Sequence, residues 1–151
     1  MSDTEVREGR EQLRAELAHH TIYELLGGEQ GVRTIVDRFY DRMDDEEFAP
    51  IRAMHQPDLG PMRVGLFEFL SGWLGGPQLY VERKGSPCLT GAHLPFRIDA
   101  RASDLWMRCM TQAMRDAGVA DRYRDALLPA LQGIAGSLRN DDRELRRRPP
   151  G

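Results

Sequence analysis

The chain contains 151 residues, of which 30% are charged and 40% are apolar, and its formal net charge is −3. This length suits one domain, which would bury about 68–70% of the surface that the unfolded chain exposes. The charge provides no general attraction to nucleic acid or anionic lipid, and the longest apolar run is too short to span a bilayer. The acidic N-terminus lacks the apolar core of a secretory signal, and the two cysteines form no CxxC pair, so we expect a cytoplasmic protein.

The first part of the chain predicts helices. Residues 1–20 read as a charged N-terminal extension, and Thr21 and Glu24 fit a capping box that starts a short helix ending at the glycines 27–28. Irregular helical turns are expected around Pro50. Between these segments, one helix is predicted from apolar residues at helical spacing, namely Val32, Ile35, Val36, Phe39, Tyr40 and Met43.

The central part contains a further helix, which Asp58 can cap and which ends at residues 75–77. We expect a loop over residues 77–89 and then one short helical turn near His93, which Pro95 breaks. The core stripe predicted for the helix comprises Leu59, Met62, Leu66, Phe69, Leu70 and Trp73.

Two more helices are predicted before the C-terminus. Asp99 caps the first, which Gly118 closes, and the second spans roughly residues 120–139 with Pro129 inside it. Residues 140–151 form an arginine-rich tail that we expect to be disordered. The inward residues are predicted to be Ala102, Leu105, Trp106, Cys109, Met110 and Ala113 in the first helix and Leu127, Leu131, Ile134 and Leu138 in the second. The sequence therefore predicts an all-α domain over residues 21–139.

Three residues inside this domain have side chains suited to binding haem and a small ligand. His93 is one of two histidines within the domain, and a neutral imidazole is a good axial ligand for haem iron. Tyr40 and Trp106 carry an O–H and an N–H that need partners when buried. Taken singly, these residues are more often a loop histidine and two core aromatics, and it is their combination in one small helical domain that points to a haem pocket. Phosphate-binding, zinc-protease, nucleophile-elbow and EF-hand motifs are absent from the sequence.

Residues 21–139 resemble a truncated haemoglobin of the second group, one of the bacterial 2-on-2 globins. The residues that carry the resemblance are Gly27-Gly28, Arg38-Phe39-Tyr40, Pro57-Asp58-Leu59, Phe69-Leu70, Trp73, Gly75-Gly76-Pro77, Tyr80, Glu82, Gly85, Pro87, Leu89, His93, Pro95-Phe96, Ile98, Asp104 and Trp106. Their order and spacing agree with the family throughout. The resemblance implies a 2-on-2 helical sandwich around haem b, which is iron protoporphyrin IX.

The resemblance also implies roles for individual residues. His93 takes the place of the proximal iron ligand, and Tyr40 and Trp106 take the places of donors to the bound ligand. His55 falls at the interhelical corner, where Met54 is the alternative because the local alignment is uncertain by one residue. Three roles stay open for His55: a sixth ligand of iron, a hydrogen-bond partner of Tyr40, or neither. The other residues expected in the haem pocket are Met54, Met62, Leu66, Phe69, Leu70, Phe96, Ile98 and Met110.

The segment just before His93 departs from the family. Relatives often carry several basic residues there, whereas residues 87–92 have no positive charge. We therefore expect the haem propionates to be held from elsewhere, and the candidates are Tyr80, Arg83, Lys84 and Arg97.

The function that the resemblance implies is binding of O2, and of CO and NO, at ferrous haem. Tight O2 binding suits NO detoxification, redox chemistry or O2 sensing, with a reductase as a potential partner. We expect a monomer or homodimer with no nucleic-acid or membrane partner. Two other hypotheses remain open from the residues, namely a cofactor-free helical interaction module and a haem peroxidase-like enzyme.

Overall fold

The computed structural model describes residues 2–85 and 98–139, and within them the chain forms helices and turns without a strand. The helices are α1 (Asp3–Leu17), α2 (Ile22–Leu25), α3 (Gly28–Arg42), α4 (Ala49–Arg52), α5 (Gly60–Trp73), α6 (Leu79–Lys84), α7 (Ala100–Asp116) and α8 (Asp121–Ser137), with a 3-10 turn at Glu46–Phe48. No helix in these two ranges is long and apolar enough to cross a membrane. The all-α prediction is confirmed. His93, Phe96 and Arg97 lie outside the described residues.

The helix starts that the sequence predicts are formed by local hydrogen bonds. The Thr21 hydroxyl accepts from the Glu24 N–H at 3.2 Å, and the Glu24 carboxylate accepts from the Thr21 N–H at 3.2 Å. The Asp99 carboxylate accepts from the Ala102 N–H at 2.9 Å at the start of α7. Each bond satisfies a backbone donor that has no partner within its own helix.

The helices are arranged as two packed pairs. Helix α3 packs against α5, α7 packs against α8, and α3 also contacts α7, which joins the pairs. All six residues of the stripe predicted for α3 are buried, and Val32, Phe39 and Met43 have no exposed surface. From α7 the core receives Leu105, Cys109, Met110, Ala113 and Met114. The 2-on-2 arrangement predicted from the resemblance is confirmed.

Helix α5 uses a different face for the core than its predicted stripe. The buried residues are Phe67, Leu70 and Leu74, whereas Met62 is 41% exposed. Only Leu70 of the predicted stripe is buried, because apolar residues occupy two faces of this helix and spacing alone does not tell which face meets the core.

Helix α6 replaces part of the loop predicted over residues 77–89. The Ser71 hydroxyl donates to the Pro77 carbonyl at 2.8 Å, and the Gln78 amide donates to the Gly72 carbonyl at 3.0 Å. These bonds hold the chain against the end of α5, and the chain then enters α6 with Leu79 packed on the core. The segment is too short to show an apolar period, so its helix is not predictable from residue spacing.

The N-terminal extension contains a helix that packs on the last helix of the domain. Helix α1 contacts α8, and Leu13 and Tyr123 are buried apart from the main core. The Arg122 guanidinium donates to the Glu16 carboxylate at 2.6 Å, and the Tyr123 hydroxyl donates to the same carboxylate. Residues that the sequence separates by about a hundred positions thus fix α1 on the domain.

An ion pair also links α3 to α7 near the ends of both helices. The Arg42 guanidinium donates to the Asp116 carboxylate through two nitrogens, at 2.6 and 2.9 Å. The hydrogen bonds from Arg42 hold the pKa of Asp116 below its ordinary value. The pair therefore stabilises the folded chain most when Asp116 is ionised.

We expect Leu13→Ala to lower the free energy of unfolding by about 2 kcal/mol, because it removes a buried side chain from the contact between α1 and α8. The matched control is Leu17→Ala, which truncates the same side chain at a position that is 46% exposed. Urea unfolding of both variants measures the difference. Equal losses in the two would contradict the packing of α1 described above.

We expect Asp116→Asn to be less stable than the wild type near neutral pH, and the difference should vanish in acid. A carboxyl with a lowered pKa stabilises the fold above its unfolded-state pKa, about 3.9, and this stabilisation is lost as the pH falls through the folded-state value. Urea midpoints for both proteins between about pH 7 and pH 3 test this. A difference that stays constant over this range would show that the ion pair contributes nothing.

Candidate functional site

Four aromatic rings from three parts of the chain meet between α3, α5 and α7. The ring of Phe39 lies 5.0 Å from that of Tyr40 and 5.2 Å from that of Trp106, measured between centroids. The ring of His55 lies 6.1 Å from Tyr40, at an interplanar angle of 80°. The structure thus brings the three residues predicted on the distal side into one cluster, in which Tyr40 and Trp106 contact Phe39 and His55 contacts Tyr40.

Tyr40 presents a buried phenol to the first turn of α5. The residue is 5% exposed, and its hydroxyl donates to the Met62 carbonyl at 3.4 Å, which is long for a hydrogen bond to oxygen. Burial raises the pKa of Tyr40 well above its ordinary value of 10.0. The hydroxyl therefore keeps its proton at physiological pH and remains available as a donor.

His55 has a defined tautomer because its partner can only accept. Its Nδ1 lies 2.8 Å from the Ile51 carbonyl oxygen, so Nδ1 carries a proton. In the neutral ring Nε2 is then left with a lone pair, which can accept a hydrogen bond or bind a metal. Binding of iron by His55 and a hydrogen bond to Tyr40, two of the three roles left open for this residue, would both use Nε2.

Trp106 lies on α7 and is partly buried against Phe39. Its indole N–H makes no hydrogen bond to any residue in the described ranges. An indole nitrogen is a donor only, so Trp106 offers a second neutral donor in the same aromatic cluster as Tyr40.

A second apolar face runs along α5, separate from the face that meets the core. Its residues recur at intervals of four, three and four positions, which places them within about 60° of one another around the helix. Except for Met62, which is exposed, they are partly buried and touch the edge of the core. This ridge comprises Met62, Leu66, Phe69 and Trp73.

Other residues predicted for the haem pocket lie at different depths. Leu70 and Met110 are 2% and 0% exposed and belong to the core cluster, and Met54 is partly buried against it. Ile98 is buried at the point where the described chain resumes. Leu70 and Met110 therefore lie behind the ridge and the aromatic cluster, whereas Met54 is partly exposed.

The basic residues of α6 lie beside another face of α5. Arg83 donates to the Glu68 carboxylate at 2.8 Å, and the Lys84 ammonium is 5.7 Å from the centre of the Tyr80 ring. Glu68 is about 120° around the helix from the middle of the ridge. The structure does not bring Arg83 to the aromatic cluster, and contacts of these residues with propionates stay a prediction.

One residue near the site was missed by the sequence analysis. The Arg63 guanidinium donates to the carboxylates of Asp37 at 3.0 Å and Asp41 at 3.1 Å, and its central carbon lies 5.6 Å from the centre of the Tyr40 ring. The two aspartates are four positions apart and so share one face of α3, and Asp37 is three positions before Tyr40. The spacing of the two aspartates could have predicted a site for a cation on α3, but the arginine that binds them lies on a different helix.

Comparison with known proteins places this geometry in a family. Residues 21–140 match the model of the bacterial-like globins. A group 2 truncated haemoglobin of Bacillus subtilis, YjbI, is 34% identical over 118 residues, which cover 78% of this chain and 87% of that protein.

Solved structures agree with this assignment. The cold-adapted truncated haemoglobin of Pseudoalteromonas haloplanktis superposes with a TM-score of 0.78 at 41% identity, over 81% of this chain and 99% of that one. A truncated haemoglobin of Bacillus subtilis described as oxygen-avid superposes with a TM-score of 0.72 at 34% identity, over 80% of this chain and 100% of that one. The chain therefore belongs to the bacterial-like globins and is a group II truncated haemoglobin, a member of a family of haem proteins that bind small gases.

Proposed function

We propose that this protein binds O2 tightly at haem b, with His93 as the proximal ligand and with Tyr40 and Trp106 as donors to the bound gas. The observation that carries the proposal is the buried, protonated Tyr40 hydroxyl at the first turn of α5, a helix with a second apolar face. CO and NO are expected to bind at the same place.

The described residues fit the chemistry of haem. The ridge on α5 provides an apolar surface against which a flat macrocycle can pack, and α5 would otherwise carry apolar residues on two faces with a core on only one. Phe69 and Leu66 lie in the middle of this ridge. Tyr40, at the first turn of α5, supplies a polar group at one end of the surface.

Haem would supply an iron atom that coordinates a diatomic gas and shifts partial negative charge onto it. His93 would hold the iron through a neutral imidazole. Tyr40 and Trp106 would donate hydrogen bonds toward the gas from helices rather than loops, so their positions vary little. Apolar side chains such as Leu66 would exclude water from the same space.

Two donors explain why binding should be tight. A hydrogen bond contributes about 0.5–1.5 kcal/mol, and about 1.5–3 kcal/mol when one partner is charged. Because about 1.4 kcal/mol corresponds to a factor of ten, each donor should slow release of the gas by about ten-fold. The oxygen-avid relative supports this inference.

A protein that releases O2 slowly suits NO detoxification or redox chemistry better than bulk delivery of O2. Either reaction needs a source of electrons, and we propose a reductase as the partner. Membership in the globin family favours this account over the cofactor-free interaction module. Peroxide turnover above that of free haem would favour the peroxidase-like alternative.

We expect His93→Ala to abolish stoichiometric haem binding, because no other residue would replace the proximal imidazole. Absorption spectra of the purified protein measure this through an intense band at about 400–430 nm that shifts with CO. The control is His20→Ala, which removes an imidazole whose side chain is 53% exposed on the N-terminal side of the domain. A full band in the His93 variant would contradict the ligand assignment.

We expect Tyr40→Phe to raise the O2 dissociation rate by about ten-fold, because it removes one hydroxyl and keeps the ring that packs on Phe39. Stopped-flow displacement of O2 by CO measures the rate. Tyr123→Phe is the matched control, since that hydroxyl bonds Glu16 on α1, and its rate should equal that of the wild type. Equal rates in the Tyr40 variant and the wild type would remove Tyr40 from ligand binding.

A further inference from the structure

Arg63 connects α5 to α3 directly above Tyr40. Arg63 directly follows Met62, whose carbonyl accepts a hydrogen bond from the Tyr40 hydroxyl. The residue that bonds Tyr40 through its backbone and the residue that bonds α3 through its side chain are therefore neighbours in the chain. The guanidinium reaches α3 through two nitrogens. One donates to the Asp37 carboxylate and carbonyl at 3.0 and 3.3 Å, and the other donates to the Asp41 carboxylate at 3.1 Å.

Asp37 and Asp41 lie one turn apart on α3, and Tyr40 is three positions after Asp37, so the guanidinium that bridges the aspartates also lies near the tyrosine ring. The guanidinium is therefore fixed in position relative to the ring, at 5.6 Å from its centre. The Arg63 side chain is 32% exposed, so it is only partly screened by water. Asp41 is shared with Arg38 at 3.7 Å, whereas Asp37 pairs only with Arg63 among the described residues.

We propose that Arg63 is a positioning residue for ligand binding, which holds α5 against α3 at Tyr40 and strengthens the Tyr40 hydroxyl as a hydrogen-bond donor. This inference rests on the proposed function of Tyr40. Asp37 and Asp41 hold the guanidinium in place, and their negative charges reduce the electric field that it exerts on the Tyr40 ring.

The physical reason is the sign of the charge beside the ring. When a phenol donates a hydrogen bond, negative charge accumulates on its oxygen and ring, and a cation nearby favours that shift. In agreement, Arg63 lowers the pKa of Tyr40 relative to the effect of burial alone. An exposed cation near an aromatic ring is a modest influence, so we expect an effect of about three-fold on the rate of ligand release.

A purely structural clamp makes a different prediction from an electrostatic one. If Arg63 acted only by joining α5 to α3, replacing either the arginine or its partner Asp37 would loosen the site and speed release of the bound gas. If its charge acts on Tyr40, removal of Asp37 should lower stability without speeding release, because the cation remains and is less neutralised. Comparing variants of Arg63 and Asp37 therefore distinguishes the structural role from the electrostatic one.

The experiment compares Arg63→Gln, Asp37→Asn and Tyr40→Phe in the haem-loaded protein. We measure the O2 dissociation rate, the C–O stretching frequency of the ferrous CO complex, and the urea midpoint of each haem-loaded protein. Arg63→Gln should raise the dissociation rate about three-fold and raise the stretching frequency. Asp37→Asn should lower the urea midpoint while its dissociation rate stays at or below that of the wild type.

The matched control is Arg33→Gln. Arg33 lies on α3, the helix that carries Tyr40, and its guanidinium is 4.2 Å from the centre of the Phe67 ring. The variant therefore removes the same charge from an aromatic contact that does not involve Tyr40. Its dissociation rate and stretching frequency should match those of the wild type. A change equal to that of Arg63→Gln would show an effect of net charge alone and overturn the proposal.

Failure of this inference can be distinguished from failure of the proposed function. If Tyr40→Phe changes the dissociation rate and Arg63→Gln does not, the role of Arg63 is wrong and that of Tyr40 stands. If Tyr40→Phe changes nothing, the proposed function fails first. In the double variant, Arg63→Gln should add no further change to Tyr40→Phe, and a full additional three-fold effect would also overturn the proposal.

Discussion

The site depends on one helix, α3, being held from two directions by adjacent residues. Phe39 and Tyr40 point about 100° apart around the helix axis. The Phe39 ring packs on Trp106 of α7, and its carbonyl accepts the Cys109 thiol at 3.3 Å. Tyr40 faces α5 and donates to the Met62 carbonyl. The distance between the two donors is therefore set by the packing of three helices rather than by a loop.

Helix α5 has apolar residues on two faces, whereas α3 is held by two adjacent residues. Phe67, Leu70 and Leu74 fill the core, while Leu66 and Phe69 form part of a ridge on another face. A surface helix with one apolar neighbour would place charged or polar residues on that second face. On the proposed function, a bound haem would cover this ridge, because a porphyrin is flat and largely apolar.

The local features of the fold were predictable from the sequence, and the long-range ones were not. The capping box at Thr21 and the buried stripe of α3 follow from spacing within one helix, and both are confirmed. The core face of α5 was predicted wrongly because two apolar faces give two competing patterns. Arg63 was missed because its partners on α3 are 26 and 22 residues away. The role of His93 came from resemblance alone and stays a prediction.

The electrostatic character of the site follows from which groups are buried. Tyr40 and Cys109 are both neutral, since burial raises the pKa of the tyrosine and raises that of the cysteine to about 12. A phenol in this state donates a hydrogen bond without giving up its proton, and donation without transfer is what reversible binding of a gas requires. The charges of Arg63, Asp37 and Asp41 stay at the rim, where the carboxylates limit how far the cation acidifies the phenol. A fully buried cation would strengthen the donor more, but its desolvation would cost several kcal/mol. The partly exposed position of Arg63 is a compromise between these two effects.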